Sequence, residues 1–384
     1  MKYGLVYDFL YPFSKGGVER RLWQIAGGLV ARGHEVHLFG TKQWRGPDTI
    51  DRHGVTLIGI RSSRRMHSRS GRRSIWQGVS FAIHLVRRLW TEEFDVIDVQ
   101  SISPLSCLAT VVVCRLSGTP FVVTWHEVWQ SYWREYLGPV GWLGILVERL
   151  VVNLTSVHVA VSQSTAARLR SLGVENVVVV PNAVDIEAID DVETSEDKVD
   201  VVYVGRMVPH KRLDLLVDAT RILADRGLEP SVVLIGNGPV ALEMEKRASG
   251  IQGVRFLGGV DSDLQVWSMM KSSSAFVSPS IREGFGLASL EALACGTPCI
   301  IADHIDNAAT EFVVHEVNGL VVEPAAEAFA DAISLLLTDD ETREIMSENA
   351  SVSAVEYDLP VLLDSVESLY GELADKPAAR GAAR

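Results

Sequence analysis

The stretch Ser280–Pro298, reading SIREGFGLASLEALACGTP, restricts the chain to few folds. The apolar triplet Ala275–Val277 stands just before it, Gly284 and Gly286 follow, and helical spacing then runs from about Gly286 to Ala294. The expected order is a buried strand, a tight turn and a helix. Glycine lets the backbone turn sharply and approach a ligand, and the free N–H groups of a helix start attract phosphate. Glu283 falls at the turn and Glu291 eight positions later, over a turn into the helix. A carboxylate that accepts from two hydroxyls suits a ribose diol. Glu283, Gly284, Phe285, Gly286, Leu287 and Glu291 together therefore fit a diphosphate with a sugar at each end. Two glutamates near a helix are ordinarily solvated charges; the glycine turn beside Glu283 favours the binding role.

Strand and helix alternate through the rest of the chain. Strands are expected at residues 2–7, Glu35–Phe39, Val55–Ile60, Asp95–Gln100, Phe121–Trp125, Ser156–Val161 and Val177–Val180. PNAVD at 181–185 and an acidic, linker-like segment to Val199 then separate a second series. That series has strands at Asp200–Val204, Ser231–Ile235, Val254–Leu257, Ala275–Val277 and Cys299–Ala302. The pattern predicts an α/β protein of two Rossmann-like, doubly wound domains, over residues 1–185 and 186–355. With 384 residues, 47% of them hydrophobic, both domains can bury a core.

Other strand ends carry chemistry. Gly205-Arg206 follows the first strand of the second series, and His210-Lys211-Arg212 opens the next helix. Three potential cations at a helix N-terminus oppose its dipole. A bound diphosphate would resolve that conflict. Gly236 and Gly238 mark the turn after another strand. In the first domain, Gly16-Gly17 precedes a helix patterned by Val18, Leu22, Ile25 and Leu29 and could seat an anion. The G-x-G-x-x-G spacing is absent, so no dinucleotide fingerprint is supported. His126 ends the strand Phe121–Trp125, at the edge where open α/β sheets bind ligands. Trp129, Tyr132, Trp133 and Tyr136 follow at helical spacing. Such a stripe is core, or lines an acceptor cleft or an interface.

EGFGLASLEALACGTP resembles the E-x7-E motif of the retaining GT-B glycosyltransferases of family 4, and VGRMVPHKRLDLL resembles their G-R-x(4)-K element. PNAVD, the Gly236–Pro239 turn and Asn318-Gly319 fit the same family, so the resemblance covers almost the whole chain. One departure is Asp358-Leu359, where the family often has an aromatic residue. The resemblance implies two domains facing across a cleft, with the last helix, within about 356–375, returning to the first. It implies a UDP- or GDP-linked sugar donor held mostly by the second domain, and an acceptor glycan, lipid or small molecule on the first. Arg206 and Lys211 would clamp the diphosphate, with Gly16 and Gly17 beside the phosphates. Glu283 would orient the sugar hydroxyls and His126 would contact the sugar. These four, His126, Glu283, Arg206 and Lys211, are the expected catalytic residues. No metal or cofactor is expected, because no Asp-x-Asp element is placed to hold a cation at the diphosphate. A nucleotide-sugar epimerase is an alternative not expected to carry both motifs; a non-catalytic sugar-nucleotide-binding protein is another.

The formal net charge of −13 is unevenly spread: residues 1–180 hold 21 Lys+Arg and 13 Asp+Glu, giving +8, and the remainder holds 15 and 36, giving −21. Arg61–Arg88 has eight arginines and no acid. Its first part reads as a polar loop, and Ile75–Trp90 as a helix with Trp76, Val79, Ile83, Val86 and Trp90 near one face. Arginines beside a tryptophan-bearing face suit an anionic membrane surface. A solvated loop before an ordinary core helix fits equally. Nucleic acid is disfavoured, since no binding module accompanies the charge. A lipid-linked or envelope-glycan acceptor goes with the membrane surface, a soluble small-molecule acceptor with the solvated loop. No membrane span is expected, because Arg115 interrupts the apolar run Leu105–Val123. With a strand expected from residue 2, no leader is expected, and four cysteines without metal spacing read as reduced thiols. A cytoplasmic protein is expected, peripheral on the inner face of the membrane if it meets one.

Overall fold

The computed structural model describes residues 1–62 and 75–375; most of the arginine run 61–73 and the side chain of Trp76 lie outside the described residues. The chain divides into two compact units, residues 1–181 joined by the chain from Pro360 onward, and Asn182–Leu359.

Unit 1 alternates strand and helix: β1 (Lys2–Val6), α1 (Gly17–Ala31), β2 (Glu35–Lys42), β3 (Thr49–Arg52), β4 (Val55–Ser62), α2 (Ile75–Leu89) and β5 (Val96–Gln100). It continues with α3 (Pro104–Ser117), β6 (Phe121–Trp125), α4 (Tyr132–Leu137), α5 (Gly141–Leu154), β7 (His158–Ala160), α6 (Gln163–Ser171) and β8 (Val177–Val179). The eight strands lie in the order β3-β4-β2-β1-β5-β6-β7-β8. All pairs are parallel except β3–β4. β5 and β6 are buried along their whole length, as strands covered on both faces must be. The order reverses direction between β1 and β5, which opens a crevice at their carboxyl ends.

Unit 2 holds α7 (Ile186–Asp190), β9 (Val199–Val204), α8 (Leu213–Asp225), β10 (Val232–Ile235), α9 (Ala241–Arg247), β11 (Val254–Gly258) and α10 (Asp263–Lys271). After these come β12 (Ser273–Ser278), α11 (Leu287–Ala294), β13 (Cys299–Ala302), β14 (Gly319–Val322), α12 (Ala326–Thr338) and α13 (Asp340–Ala354). Its sheet is wholly parallel, in the order β11-β10-β9-β12-β13-β14. Here the reversal falls between β9 and β12, the two strands that lead into Arg206 and Glu283.

The last helix, α14 (Leu359–Asp375), packs on α1 of unit 1. Its Leu362, Leu363, Val366, Tyr370 and Leu373 are buried at helical spacing, each worth about 1.5–3 kcal/mol where an apolar chain is fully buried. A Cβ on Gly28 would stand 2.3 Å from Leu363 Cδ1, so a larger residue there would force the Leu363 side chain to move. Arg32 pairs with Asp364 and Glu367 at 2.6 Å along the rim of that contact. Where the chain leaves unit 2, Val184 and Tyr357–Leu359 run side by side, with Leu359 N–H donating to the Val184 carbonyl at 2.8 Å.

Three features go beyond the sequence reading. The first sheet is not wholly parallel: β3 is a short antiparallel edge, too polar to carry an apolar alternation. The segment after Asp185 is no bare linker. Asp185 caps α7 by accepting from Ala188 N–H at 3.0 Å, and Lys271 donates to the Val192 carbonyl at 2.8 Å. Finally, Tyr132–Leu154 is a helical stretch of 23 residues that is, by length and composition, apolar enough to cross a membrane, with 28% buried. It packs on α3 through its inner side, and Gly138–Val140 interrupts it with one tight turn.

Candidate active site

In unit 2 the loops after β9 and β10 lie backbone against backbone. Met207 N–H donates to the Asn237 carbonyl at 2.9 Å. A Cβ on Gly236 would stand 1.9 Å from the Gly205 carbonyl oxygen, and one on Gly238 2.0 Å from that of Met207. Both glycines are therefore required by the packing of the two loops. Tyr203 Oη donates to the Arg206 carbonyl at 3.1 Å and supports the turn that presents the exposed Arg206 side chain.

The turn 208–211 and the turn 280–283 are tied together. The His210 carbonyl accepts from Ile281 N–H at 3.1 Å, and Lys211 Nζ donates to Glu283 Oε1. Both side chains of that ion pair are largely buried. Glu283 is held by its backbone as well: its N–H donates to Asp306 at 2.9 Å and its carbonyl accepts from Ala308 at 3.0 Å. The expected trio of cations at the α8 start resolves differently from the sequence reading. His210 is pushed down to about 4, first by burial and then by the Lys211 charge, so it is neutral. Arg212 takes a left-handed backbone and its guanidinium turns onto Asp214 at 2.9 Å, within the first turn of α8. Lys211 is thus the cation of this trio that meets the Glu283 turn, with the exposed Arg206 on the neighbouring loop after β9.

Gly286 stands at the N-cap of α11 with φ 96°, and no side chain caps the helix. A Cβ there would lie 2.8 Å from Ala309 Cβ. No acid occupies the first turn, so the positive end of this helix is left to other anions. Phe285 is buried against Phe312 and Tyr357, with ring centroids 5.2 and 5.9 Å away, so its side chain anchors the turn. Glu291, one turn further on, is buried and accepts from Trp267 Nε1 at 3.1 Å.

Unit 1 holds a buried polar chain of its own. His126, directly after β6, has Nε2 2.7 Å from Gln100 Oε1. Gln100 Nε2 donates to Asp98 Oδ1 at 2.9 Å, as does Thr124 Oγ1 at 2.8 Å. Tyr370 Oη of α14 donates to Asp98 Oδ2 at 2.7 Å. Burial raises Asp98, against the pull of these donors and of Arg21. Burial, with the Arg21 charge behind it, lowers His126 to about 3. The α1 start, by contrast, already carries its own anion. Glu19 accepts from Ser14 Oγ at 3.1 Å, and a Cβ on Gly16 would stand 2.5 Å from its Oε2.

The sequence of residues 15–188 matches the model of Glycosyltransferase Family 4, and residues 185–352 match that of glycosyl transferases group 1. The chain belongs to the GT-B glycosyltransferases of this family. It is 25% identical over 390 residues to the phosphatidyl-myo-inositol mannosyltransferase of Mycobacterium leprae, covering 97% of each chain. It is 28% identical over 179 residues to a GDP-mannose-dependent alpha-(1-6)-phosphatidylinositol dimannoside mannosyltransferase of Mycobacterium tuberculosis. That match takes in 44% of this chain and spans about half of the relative, 46% of its length. Among solved structures, sucrose-phosphate synthase from Thermosynechococcus elongatus superposes with a TM-score of 0.80 at 19% identity, over 97% of this chain and 98% of the other.

Of the residues singled out by sequence, this glycosyltransferase brings Arg206, Lys211, Glu283, Gly284, Gly286 and Leu287 to one strand-order reversal in unit 2. Glu291 lies deeper in the same helix. His126, Gly16 and Gly17 belong to unit 1. Sequence reasoning missed Trp267, the partner of Glu291, and the Asp98–Gln100–Tyr370 chain behind His126. Asp98 and Gln100 on a buried strand were a readable signal; Trp267 on a half-buried helix was not. Among the described residues, no group of three or more His, Cys, Asp or Glu side chains is placed to hold a metal ion.

Proposed function

We propose that this glycosyltransferase is a retaining enzyme that moves a sugar from a nucleoside-diphosphate sugar to a hydroxyl of a lipid-linked acceptor, without a metal ion. The observation that carries the proposal is the Lys211–Glu283 contact beside the free start of α11. One cation, one carboxylate and a helix start without a side-chain cap or a first-turn acid meet there at the reversal point of a parallel sheet, where such sheets bind ligands.

In this scheme Lys211, Arg206 and the α11 N–H groups hold the diphosphate. They stabilise the charge that grows on it as the bond from the anomeric carbon to the phosphate oxygen breaks. Glu283 accepts from the sugar hydroxyls. Glu291, with one oxygen on Trp267, accepts from the ribose. His126 offers a hydrogen-bond acceptor to the sugar. The acceptor hydroxyl attacks from the face the phosphate leaves, and its proton passes to the departing phosphate oxygen. No side chain is assigned a covalent intermediate.

Two things support a lipid-linked acceptor. Both mannosyltransferase relatives carry phosphatidylinositol in their names, and residues 1–180 have a net charge of +8. The test is a matrix of UDP- and GDP-linked sugars against phosphatidylinositol, polyprenyl-phosphate and water-soluble acceptors, read by release of nucleoside diphosphate and by the anomeric configuration of the product. Retained configuration on a lipid acceptor supports the proposal. Transfer to soluble acceptors alone, or epimerisation of the donor without an acceptor, overturns it.

A further inference from the structure

Unit 1 leaves a broad apolar surface open on three neighbouring helices. α3 packs between α2 and α5. On α5 the inner side is buried, while Trp142, Leu143, Leu146 and Leu150 point outward at spacings of three and four residues. α3 adds Val112 and Leu116, the latter 70% exposed. α2 adds Ile83, Val86 and Trp90, the last, just past its end, 57% exposed. The aromatic cluster at the foot of α5 is a separate matter. Trp129 and Trp133 pack on each other with ring centroids 4.5 Å apart, and Trp133 is buried, so this cluster adds nothing to the open surface, which carries Trp142 and Trp90 instead.

The charges on the same helices decide what covers this surface. Among the described residues, α2, α3 and α5 carry Arg87, Arg88, Arg115 and Arg149, all exposed. They carry a single carboxylate, Glu148, and it is buried, accepting from Trp129 N–H and Gln130 N–H at 2.9 Å. Only Arg88 has a nearby acid, Glu92 at 3.1 Å. An apolar outer face on helices that carry four exposed arginines and no exposed carboxylate of their own has the composition that binds an anionic bilayer in its interfacial plane. Two copies of the chain meeting through the same face would bring like charges together.

We propose that the outer face of α2, α3 and α5 docks on an anionic lipid bilayer, with Trp142, Leu146, Leu116 and Trp90 seated in the interface and the arginines on the headgroups. This goes beyond the assigned reaction, because it needs neither donor nor acceptor.

The test is flotation of the full chain, without substrates, on phosphatidylcholine vesicles with and without phosphatidylglycerol. Binding is expected with phosphatidylglycerol only, and it should fall with salt. Trp142→Ser with Leu146→Ser should abolish it. Arg87→Ser with Arg149→Ser should weaken it roughly thirty-fold, given the attraction of each arginine near an anionic surface. Circular dichroism and turnover on a water-soluble acceptor should not change in either variant. A chain that stays unbound at low salt, or one whose Trp142/Leu146 variant binds as the parent does, overturns the proposal. So does a concentration-dependent dimer that these substitutions dissociate, which would make a second copy the partner. Failure to transfer sugar with vesicle binding intact would count against the enzymatic assignment alone.

Discussion

Gln100 Oε1 lies 2.7 Å from His126 Nε2, and this contact settles which ring nitrogen carries the proton. Gln100 must turn its NH2 toward Asp98 Oδ1, which only accepts in this arrangement, so its oxygen faces the ring. His126 therefore donates through Nε2 and keeps the Nδ1 lone pair free. Gln100→Leu leaves the imidazole in place but removes its orientation. Turnover is expected to drop about five- to tenfold, the value of one hydrogen bond of about 1 kcal/mol, and His126→Ala should cost more. Parental kcat in Gln100→Leu would show that the contact only fills space.

The same ring sets a direction for stability against pH. His126 sits at about 3 in the folded protein, pushed down first by burial, while an unfolded histidine titrates near 6.5. Between these values the unfolded chain binds a proton that the folded chain refuses. Stability is therefore lost as pH falls from about 6.5 toward 3, and levels off below. His158, lowered to about 4 by burial, acts in the same sense. His126→Gln should flatten the acid loss of the urea midpoint between pH 7 and 5; an unchanged slope would assign it to other groups.

Lys211 and Arg206 are expected to be separable by what they leave behind. Lys211→Ala strips the largely buried Glu283 of its cation as well as removing a proposed diphosphate donor. Arg206→Ala removes an exposed side chain that makes no ion pair among the described residues. Either should cut turnover roughly a hundredfold, as loss of one charge-stabilising donor does. Only Lys211→Ala should be partly restored by Glu283→Gln in melting temperature. Wild-type turnover in both single variants would remove the clamp.

Much of this was readable in the chain. Val201, Val232 and Val277 announce buried parallel strands because a strand covered on both faces must be apolar throughout. Gly286 announces the turn because its positive φ excludes most other residues. Pairings between distant residues were not readable. Trp267 reaches Glu291 across 24 positions, and Tyr370 reaches Asp98 across 272, contacts that no local period encodes. The His210-Lys211-Arg212 cluster looked like three cations because burial and the Asp214 contact, which neutralise two of them, arise only in three dimensions.

Tyr370 ties α14 to the centre of the first sheet. Its hydroxyl is the donor to Asp98 Oδ2, and both groups are buried. Tyr370→Phe keeps the ring and its packing on Tyr3 at 5.1 Å but leaves that oxygen short of a donor. A buried acceptor left unsatisfied costs about 1–3 kcal/mol. A lower melting temperature for unit 1 is expected, with little change at the Lys211–Glu283 turn. Asp98→Asn with Tyr370→Phe should recover part of the loss, since the amide carries less charge to satisfy. A double variant no better than Tyr370→Phe would place the cost in packing.

Chelation tests how the diphosphate is neutralised. A metal would need carboxylates aimed at the phosphate oxygens. The Glu283 carboxylate is instead engaged by Lys211, and Glu291 accepts from the indole of Trp267. In the proposed scheme the charge on the leaving group would be met by Lys211, Arg206 and the start of α11, groups that need no ion to act. Turnover is accordingly expected to survive an excess of EDTA, with the donor KM unchanged. The informative control is Lys211→Ala, in which a divalent ion could substitute for the missing charge. Magnesium or manganese should raise the rate of that variant and leave the parent unaffected. Complete loss of parental activity on chelation, restored by either ion, would mean that the two cations do not suffice and that the diphosphate is held through a metal.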